Sequence, residues 1–173
     1  MRVAVVGPES TGKTQLCKKL AVMYRGLWVP EFARYYLHLK NNSYGYDDLE
    51  VIARGQLFWE NLYCKSTHCM PIFFDTTLLT IKIWSDWKYG KTHPLIEENY
   101  CPGTFNLVLL TAADVPWAYD PQRENPNDRE ELFEIHVKLL KQCNQKFEIV
   151  SGLNEKRLLH AVEIIETTKK TFF

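Results

Sequence analysis

Gly7-Pro8-Glu9-Ser10-Thr11-Gly12-Lys13-Thr14 is the stretch on which the reading of this chain turns. It carries the spacing G-x-x-x-x-G-K-[ST], the pattern of a phosphate-binding loop. The apolar run before it, residues 2–6 (RVAVV), reads as a short buried strand. Residues 15–25 after it read as a helix with Leu16, Leu20 and Met23 on one face. Strand, glycine loop and helix are the context in which the spacing acquires a mechanism. Gly7 and Gly12 allow backbone angles and close approaches that a side chain would block. The amides of Gly7, Pro8, Glu9, Ser10, Thr11 and Gly12, Pro8 lacking an N–H, are thus expected to line a cradle for a phosphate chain at the positive end of a helix. Lys13 is expected to reach the outer phosphates, and the Thr14 hydroxyl to hold magnesium. The ligand this implies is ATP with Mg2+.

The whole chain sets bounds around that site. Its 173 residues are enough for one domain with a sizeable core, and residues 1–173 are expected to form a single phosphate-loop domain. Lys and Arg balance Asp and Glu at 21 each, so no global charge draws the chain to nucleic acid or to a membrane. Neither partner is expected, and oligomeric state is not legible. The start of the chain does not resemble a secretion signal, because the glycine loop begins at residue 7. A cytoplasmic location and a reducing environment follow as expectations. On that basis Cys17, Cys64, Cys69, Cys101 and Cys143 read as thiols, with no C-x-x-C pair among them. A zinc cluster on Cys64, His68 and Cys69 lacks an evident fourth ligand, and a helix end with scattered thiols is the plainer reading.

Beyond the loop, apolar runs at 27–29, 71–75, 107–110 and 147–150 read as four further strands. Helical patterns occupy 32–40, a long stretch from Asp47, 76–88, 128–142 and 154–170, with Gly90 closing the third and Asn127 as a candidate N-cap for the fourth. Strands alternate with helices throughout. The fold class is therefore α/β: a three-layer phosphate-loop nucleoside triphosphate hydrolase fold, with a five-stranded parallel sheet flanked by helices. The polar, proline-bearing segment 112–127 is a candidate lid.

Ligands of such sheets sit beyond the carboxyl ends of the strands, so residues ending strands carry the site. Glu31 ends the second strand, placed to accept a proton from an attacking hydroxyl. The alternative is a solvated acid favoured by a helix dipole. Asp75 ends the strand expected beside the first, the position of a second magnesium-site acid or of a ligand to a substrate hydroxyl; otherwise it is a helix N-cap. Arg123, and with less reason Arg129, are candidates to clamp phosphates from the lid. Gln56 lies on the apolar face of the helix starting at Asp47, as a cleft-lining or a partnered core group. Trp117 and Tyr119 are loop aromatics that either stack on a ring or anchor the lid. Phe32, Tyr35 and Tyr36 either wall a flat ring or belong to the core.

Several blocks together resemble a known family. GPESTGKT at Gly7–Thr14, PEFARYYL at Pro30–Leu37, IARGQ at Ile52–Gln56, FFDTTLLT at Phe73–Thr80, YGKTHP at Tyr89–Pro94 and PWAYDPQR at Pro116–Arg123 are similar to the ribosylnicotinamide kinase domain of bacterial NAD-salvage regulators, within the AAA-like phosphate-loop kinases. The resemblance spans nearly the whole chain. It implies transfer of the γ-phosphoryl group of ATP to the 5′-hydroxyl of nicotinamide riboside, giving nicotinamide mononucleotide. Lys13, Glu31, Asp75 and Arg123 would be catalytic. Glu31, Tyr35, Gln56, Asp75, Trp117 and Asp120 would meet a nucleoside-like substrate, with Asp120 and Arg123 supplying the D-x-x-R of the lid. Those regulators also carry an adenylyltransferase domain, and this chain shows none, so a separate adenylyltransferase partner is an open question. Two other readings use the same parts: a nucleoside or nucleotide kinase of thymidylate-kinase type, and a phosphate-loop ATPase switch with water as acceptor.

Overall fold

In a computed structural model, which describes residues 1–67, 69–101 and 103–172, five strands form one parallel sheet. They are β1 (Arg2–Val6), β2 (Leu27–Val29), β3 (Ile72–Asp75), β4 (Leu107–Thr111) and β5 (Phe147–Val150), in the spatial order β2-β3-β1-β4-β5. The expected neighbour relation holds: β1 lies between β3 and β4, with Val5 level with Asp75 on one side and Leu109 on the other.

The central strands are apolar on both faces because helices cover both. Val3, Val5, Phe73, Leu107 and Leu109 point to one side. There they meet Leu16, Cys17 and Leu20 of α1 (Lys13–Met23) and Ala161 and Ile165 of α7 (Asn154–Phe172). Ala4, Val6, Phe74, Val108 and Leu110 point to the other, where α4 (Leu78–Tyr89) brings Leu79 and Ile83, and α6 (Arg129–Gln142) brings Leu132 and Leu140. A third cluster joins Ala33 and Leu37 of α2 (Phe32–Leu39), Leu49, Ile52 and Ala53 of α3 (Asp48–Ser66), Leu78 and Ile81, and Ile96 of the short α5 (Pro94–Asn99). That cluster ties α2, α3 and α5 to α4, whose Leu79 and Ile83 lie on the sheet.

Several local expectations are corrected. The segment around Pro94 forms α5, with the His93 ring accepting from the Leu95 amide as its N-cap. Asp128, rather than Asn127, occupies the N-cap position of α6. Thr77, rather than Asp75, caps α4, its hydroxyl accepting from the Leu79 amide. Cys101 and Cys143 are joined as a disulfide, so the reading of all five cysteines as thiols does not hold; Cys17, Cys64 and Cys69 are free. His68 lies outside the described residues, and among those described no group of three His, Cys, Asp or Glu side chains gathers as a metal site. No helix among the described residues is long and apolar enough to cross a membrane.

Candidate active site

The loop between β1 and α1 is held in shape by its own hydroxyls. Thr11, fully buried, stands 2.8 Å from the Pro8 carbonyl oxygen and 2.7 Å from the Thr111 hydroxyl, which is 3.1 Å from the Val6 carbonyl oxygen; one of the two hydroxyls donates to the other, which donates to its own carbonyl. Gly7 adopts φ 139°, and a Cβ there would stand 2.5 Å from Thr111 Oγ1 and 2.8 Å from its carbonyl oxygen, so only glycine fits. Gly12 takes the left-handed φ of 78° from which α1 departs. Beneath the loop, Arg157 of α7 is buried, donates to the Thr11 carbonyl at 2.9 Å, and pairs with Asp114. Glu9, Ser10 and Thr11 thus serve the loop and its surroundings with their side chains; what the loop offers a phosphate is its amides.

A cavity of about 510 Å³ opens over this loop, within the usual size range of small-ligand sites. Residues Gly7–Gln15 floor it, Glu31, Arg34 and Leu37 form one wall, and Thr80, Ile83, Trp84 and Trp87 of α4 form the opposite one. Leu132 and His136 of α6 and lid residues including Gln122, Arg123 and Asn125 complete it.

The lid is tied to the loop at two residues. The Glu9 carboxylate accepts from the amides of Glu124 at 2.9 Å and Asn125 at 3.0 Å. Ser10 Oγ accepts from the Ala118 amide at 2.9 Å and from Arg123 at 3.3 Å. A third tie runs from α2: Arg34 donates to Asp120 at 2.9 Å and lies 3.5 Å from Glu31. Trp87 of α4 donates to the Asn125 side chain at 3.1 Å, and Lys88 pairs with Glu124 at 2.8 Å. The strand ends and the lid therefore meet around one chamber.

Charge is concentrated there. The Lys13 ammonium donates to the Pro8 carbonyl at 2.8 Å. Burial lowers its pKa, against the opposing charges of Glu31, Asp75 and Glu9. Burial likewise raises the Glu31 carboxyl, with repulsion from Asp75 adding to it and Lys13 and Arg34 opposing. Asp75 is raised by burial too, despite Thr14, Lys13 and Arg34, which favour its charged form. These are two carboxyls that cannot ionise independently, next to a lysine.

Asp75 has a further property. It is 1% exposed, and neither of its buried oxygens meets a hydrogen-bond partner of good geometry; the next residue, Thr76, has φ 78° and an equally unpartnered hydroxyl. A buried carboxylate whose nearest donors, the Thr14 hydroxyl and the Trp28 ring N–H, are poorly placed is costly unless something compensates it. A hard divalent cation held by this carboxylate, the Thr14 hydroxyl and phosphate oxygens is such a compensation, and Mg2+ takes few protein ligands of this kind. The donor set fits magnesium.

Of the expected site residues, Lys13, Glu31 and Arg123 line the cavity; Asp75 lies just behind the loop, and Asp120 reaches the site through Arg34. Three expected substrate contacts lie away from the cavity wall. Gln56 is buried, its carbonyl accepting from the Phe32 amide at 2.9 Å and its amide reaching Glu60 at 3.3 Å, so it holds the start of α2 next to Glu31. Tyr35 is half-exposed on the outer side of α2, packed on Phe32 and Trp59. Trp117 lies under the Arg129 guanidinium, 5.9 Å from ring centre to guanidinium carbon, while Arg129 donates to the Val115 carbonyl; both brace the base of the lid. Tyr119 is largely exposed. The aromatic wall is instead Trp84 and Trp87. Sequence periodicity put these on an apolar helix stripe, and only the separation of α2 from α4 turns that stripe towards a chamber. Arg34, too, went unmarked, though it stands one turn after Glu31, a spacing at which helix side chains meet.

The fold and this site define a phosphate-loop nucleotide-binding α/β domain with a lid over a second pocket. The profile of the AAA domain family matches residues 2–157, and the chain belongs to that family. It is 29% identical over 170 residues to the trifunctional NAD biosynthesis/regulator protein NadR of Escherichia coli (strain K12), an alignment covering 94% of this chain and 41% of the relative. The chain thus spans about two-fifths of the curated relative's length. Among solved structures it is similar to a NadR protein in complex with NAD and AMP-PNP (TM-score 0.82, 21% identity) and to a NadR protein in complex with NR (TM-score 0.83, 22% identity). Each comparison covers 96% of this chain and 49% of the other.

Proposed function

We propose that this chain is a small-molecule kinase that transfers the γ-phosphoryl group of ATP to the 5′-hydroxyl of nicotinamide riboside, forming nicotinamide mononucleotide. One observation carries the reading: a single cavity spans the amide-lined loop and the space between α2 and α4, with Glu31 on its wall. A donor and an acceptor can therefore lie end to end in one chamber. The resemblance to NadR proteins, one of them bound to NR and another to an ATP analogue, supports the choice of both substrates.

In this reading the loop amides and the Lys13 ammonium hold the triphosphate, and Arg123 adds positive charge from the lid. A magnesium ion on Thr14 and Asp75 would neutralise charge on the phosphates. Glu31 accepts the hydroxyl proton, a task for which a carboxyl raised towards neutrality is suited. Arg34 holds Glu31 and Asp120 at once, so one arginine links the base to the lid. Trp84 and Trp87 offer flat apolar faces to an aromatic ring. Little covalent chemistry falls to the protein; positioning and charge stabilisation supply the rate.

The test is a panel of acceptors with ATP held constant. Nicotinamide riboside is expected to give a kcat/KM at least about tenfold above deoxythymidine, deoxyadenosine and thymidylate, the scale on which a pocket of fixed shape discriminates. A deoxynucleoside or nucleotide preferred over nicotinamide riboside would refute the substrate. ATP turnover that no alcohol accelerates would refute the class.

A further inference from the structure

His136 stands on the wall of the cavity formed by α6, outside every role assigned above. It is 1% exposed. Its Nδ1 lies 2.7 Å from the Leu132 carbonyl oxygen, one turn back on the same helix. A carbonyl only accepts, so Nδ1 carries a proton and donates it. Burial lowers the imidazole pKa to about 4, with Lys13 contributing in the same direction, so near neutral pH the ring carries no second proton. The tautomer is thereby fixed, and Nε2 is a bare acceptor.

Among the described residues, the hydrogen-bond partner of Nε2 is the Thr80 hydroxyl, at the long distance of 3.4 Å. Thr80 also lines the cavity. The pair holds one movable proton, on Thr80. If Thr80 spends it on Nε2, only oxygen lone pairs remain for the cavity. If Thr80 turns it towards a ligand, Nε2 is left buried and unpaired. In the first arrangement the pair offers the cavity acceptors alone; in the second it leaves a buried acceptor unpaired, which is costly. Around it the wall is apolar, with Ile83, Trp84 and Leu132.

We propose that His136 and Thr80 form a specificity element that accepts a hydrogen bond from an N–H or O–H donor of the acceptor substrate. The inference rests on the kinase reading given above. It assigns to α6 a part in choosing the acceptor, separate from the phosphate chemistry of the loop. Donor-bearing ligands meet the lone pairs that Thr80 and His136 present; ligands of the same shape without that donor leave those lone pairs unmet, and ligands offering an acceptor there face another acceptor.

The experiment deletes one donor at a time from nicotinamide riboside: an acetyl group in place of the carboxamide, and the 2′-deoxy and 3′-deoxy forms. In the parent enzyme one of these three deletions raises the acceptor KM about tenfold, a loss typical of a site built to satisfy a donor, with ATP KM within twofold. Which deletion does so identifies whether amide or sugar faces His136. His136→Phe, which keeps a ring and removes the acceptor nitrogen, raises the KM of nicotinamide riboside itself by a similar factor. The sensitive deletion then adds nothing further. His136→Gln, which restores an acceptor oxygen, recovers most of the loss. A parent KM indifferent to all three deletions overturns the inference while leaving the kinase reading standing, and this result does not depend on whether the variants fold. A His136→Phe variant that raises the KM of ATP as much as that of the acceptor also overturns it. A parent that phosphorylates no nucleoside overturns the kinase reading and this inference with it.

Discussion

Glu31 is the residue on which the proposed chemistry depends. Its side chain is about a quarter exposed, at 23%, and lies between Arg34 and the cavity. Removing its charge while keeping its shape separates proton acceptance from binding. Glu31→Gln is expected to lower kcat on the order of 100-fold, the low end for loss of a general base, with ATP affinity changed by less than about threefold. Pre-steady-state turnover and calorimetric ATP binding check the two halves. The pH profile makes a linked statement. Burial and Asp75 raise the Glu31 carboxyl, so its active, ionised form is reached at higher pH than for an ordinary glutamate. The acid limb of kcat/KM is accordingly expected above the ordinary glutamate range, and to move to lower pH in Glu31→Gln, where Asp75 no longer faces a second carboxylate. Because Glu31 and Asp75 interact, that limb belongs to the pair rather than to one residue. The candidate role of Glu31 was legible in the sequence from a strand end alone. Arg34 was not singled out, because a helix surface arginine acquires meaning only when Asp120 of the lid is seen to face it.

At the scale of elements, the lid and α4 carry the next prediction. The lid hangs from the loop by Glu9, whose carboxylate takes two lid amides, and by Ser10. Glu9→Ala removes the first tie without touching the cradle amides. Limited proteolysis is expected to cut segment 112–128 faster, and the ATP KM to rise about fivefold to tenfold, with nicotinamide riboside lowering the cleavage rate again. Unchanged proteolysis would mean the lid is held elsewhere. That segment shows where sequence reading stops. Its proline and polar content marked it as a loop, and D-x-x-R marked Asp120 and Arg123. Its partners on the loop and on α4 are more than thirty residues distant, and no local pattern announces them. Trp84 and Trp87, within the helical pattern 76–88, drew no role for the same reason. Helical spacing records which residues share a face but not whether that face meets core or cavity. Gln56 is the converse: a polar residue on an apolar stripe, expected to line a cleft or be a partnered core group, it proved to be partnered with the Phe32 amide.

At the scale of the whole molecule, the five strands and their parallel order followed from alternation of strand and helix patterns, since right-handed crossovers leave few arrangements. The disulfide between Cys101 and Cys143 was not legible, because 42 residues separate them and neither belongs to a recognisable spacing. Stability should carry a pH signature from the junction of α2 and α3. Glu60 is raised by burial to about 7, with Gln56 opposing. The folded state therefore holds a proton that the unfolded chain releases near the ordinary glutamate value. Its contribution is full below that value and is lost as pH rises towards 7, by up to about 3 kcal/mol. Glu60→Gln is expected to flatten the fall in Tm between pH 5 and pH 8, and a parent-like slope in the variant would assign that fall to other groups.

The central claim is that one chamber aligns the end of ATP with an alcohol. The direct measurement is product analysis by mass spectrometry after incubation with Mg-ATP and nicotinamide riboside, for the parent and for Lys13→Ala. The account predicts ADP and nicotinamide mononucleotide in equal amounts from the parent, and loss of both products together in Lys13→Ala. ADP released without nicotinamide mononucleotide, or a Lys13→Ala variant that transfers phosphate as the parent does, would contradict it.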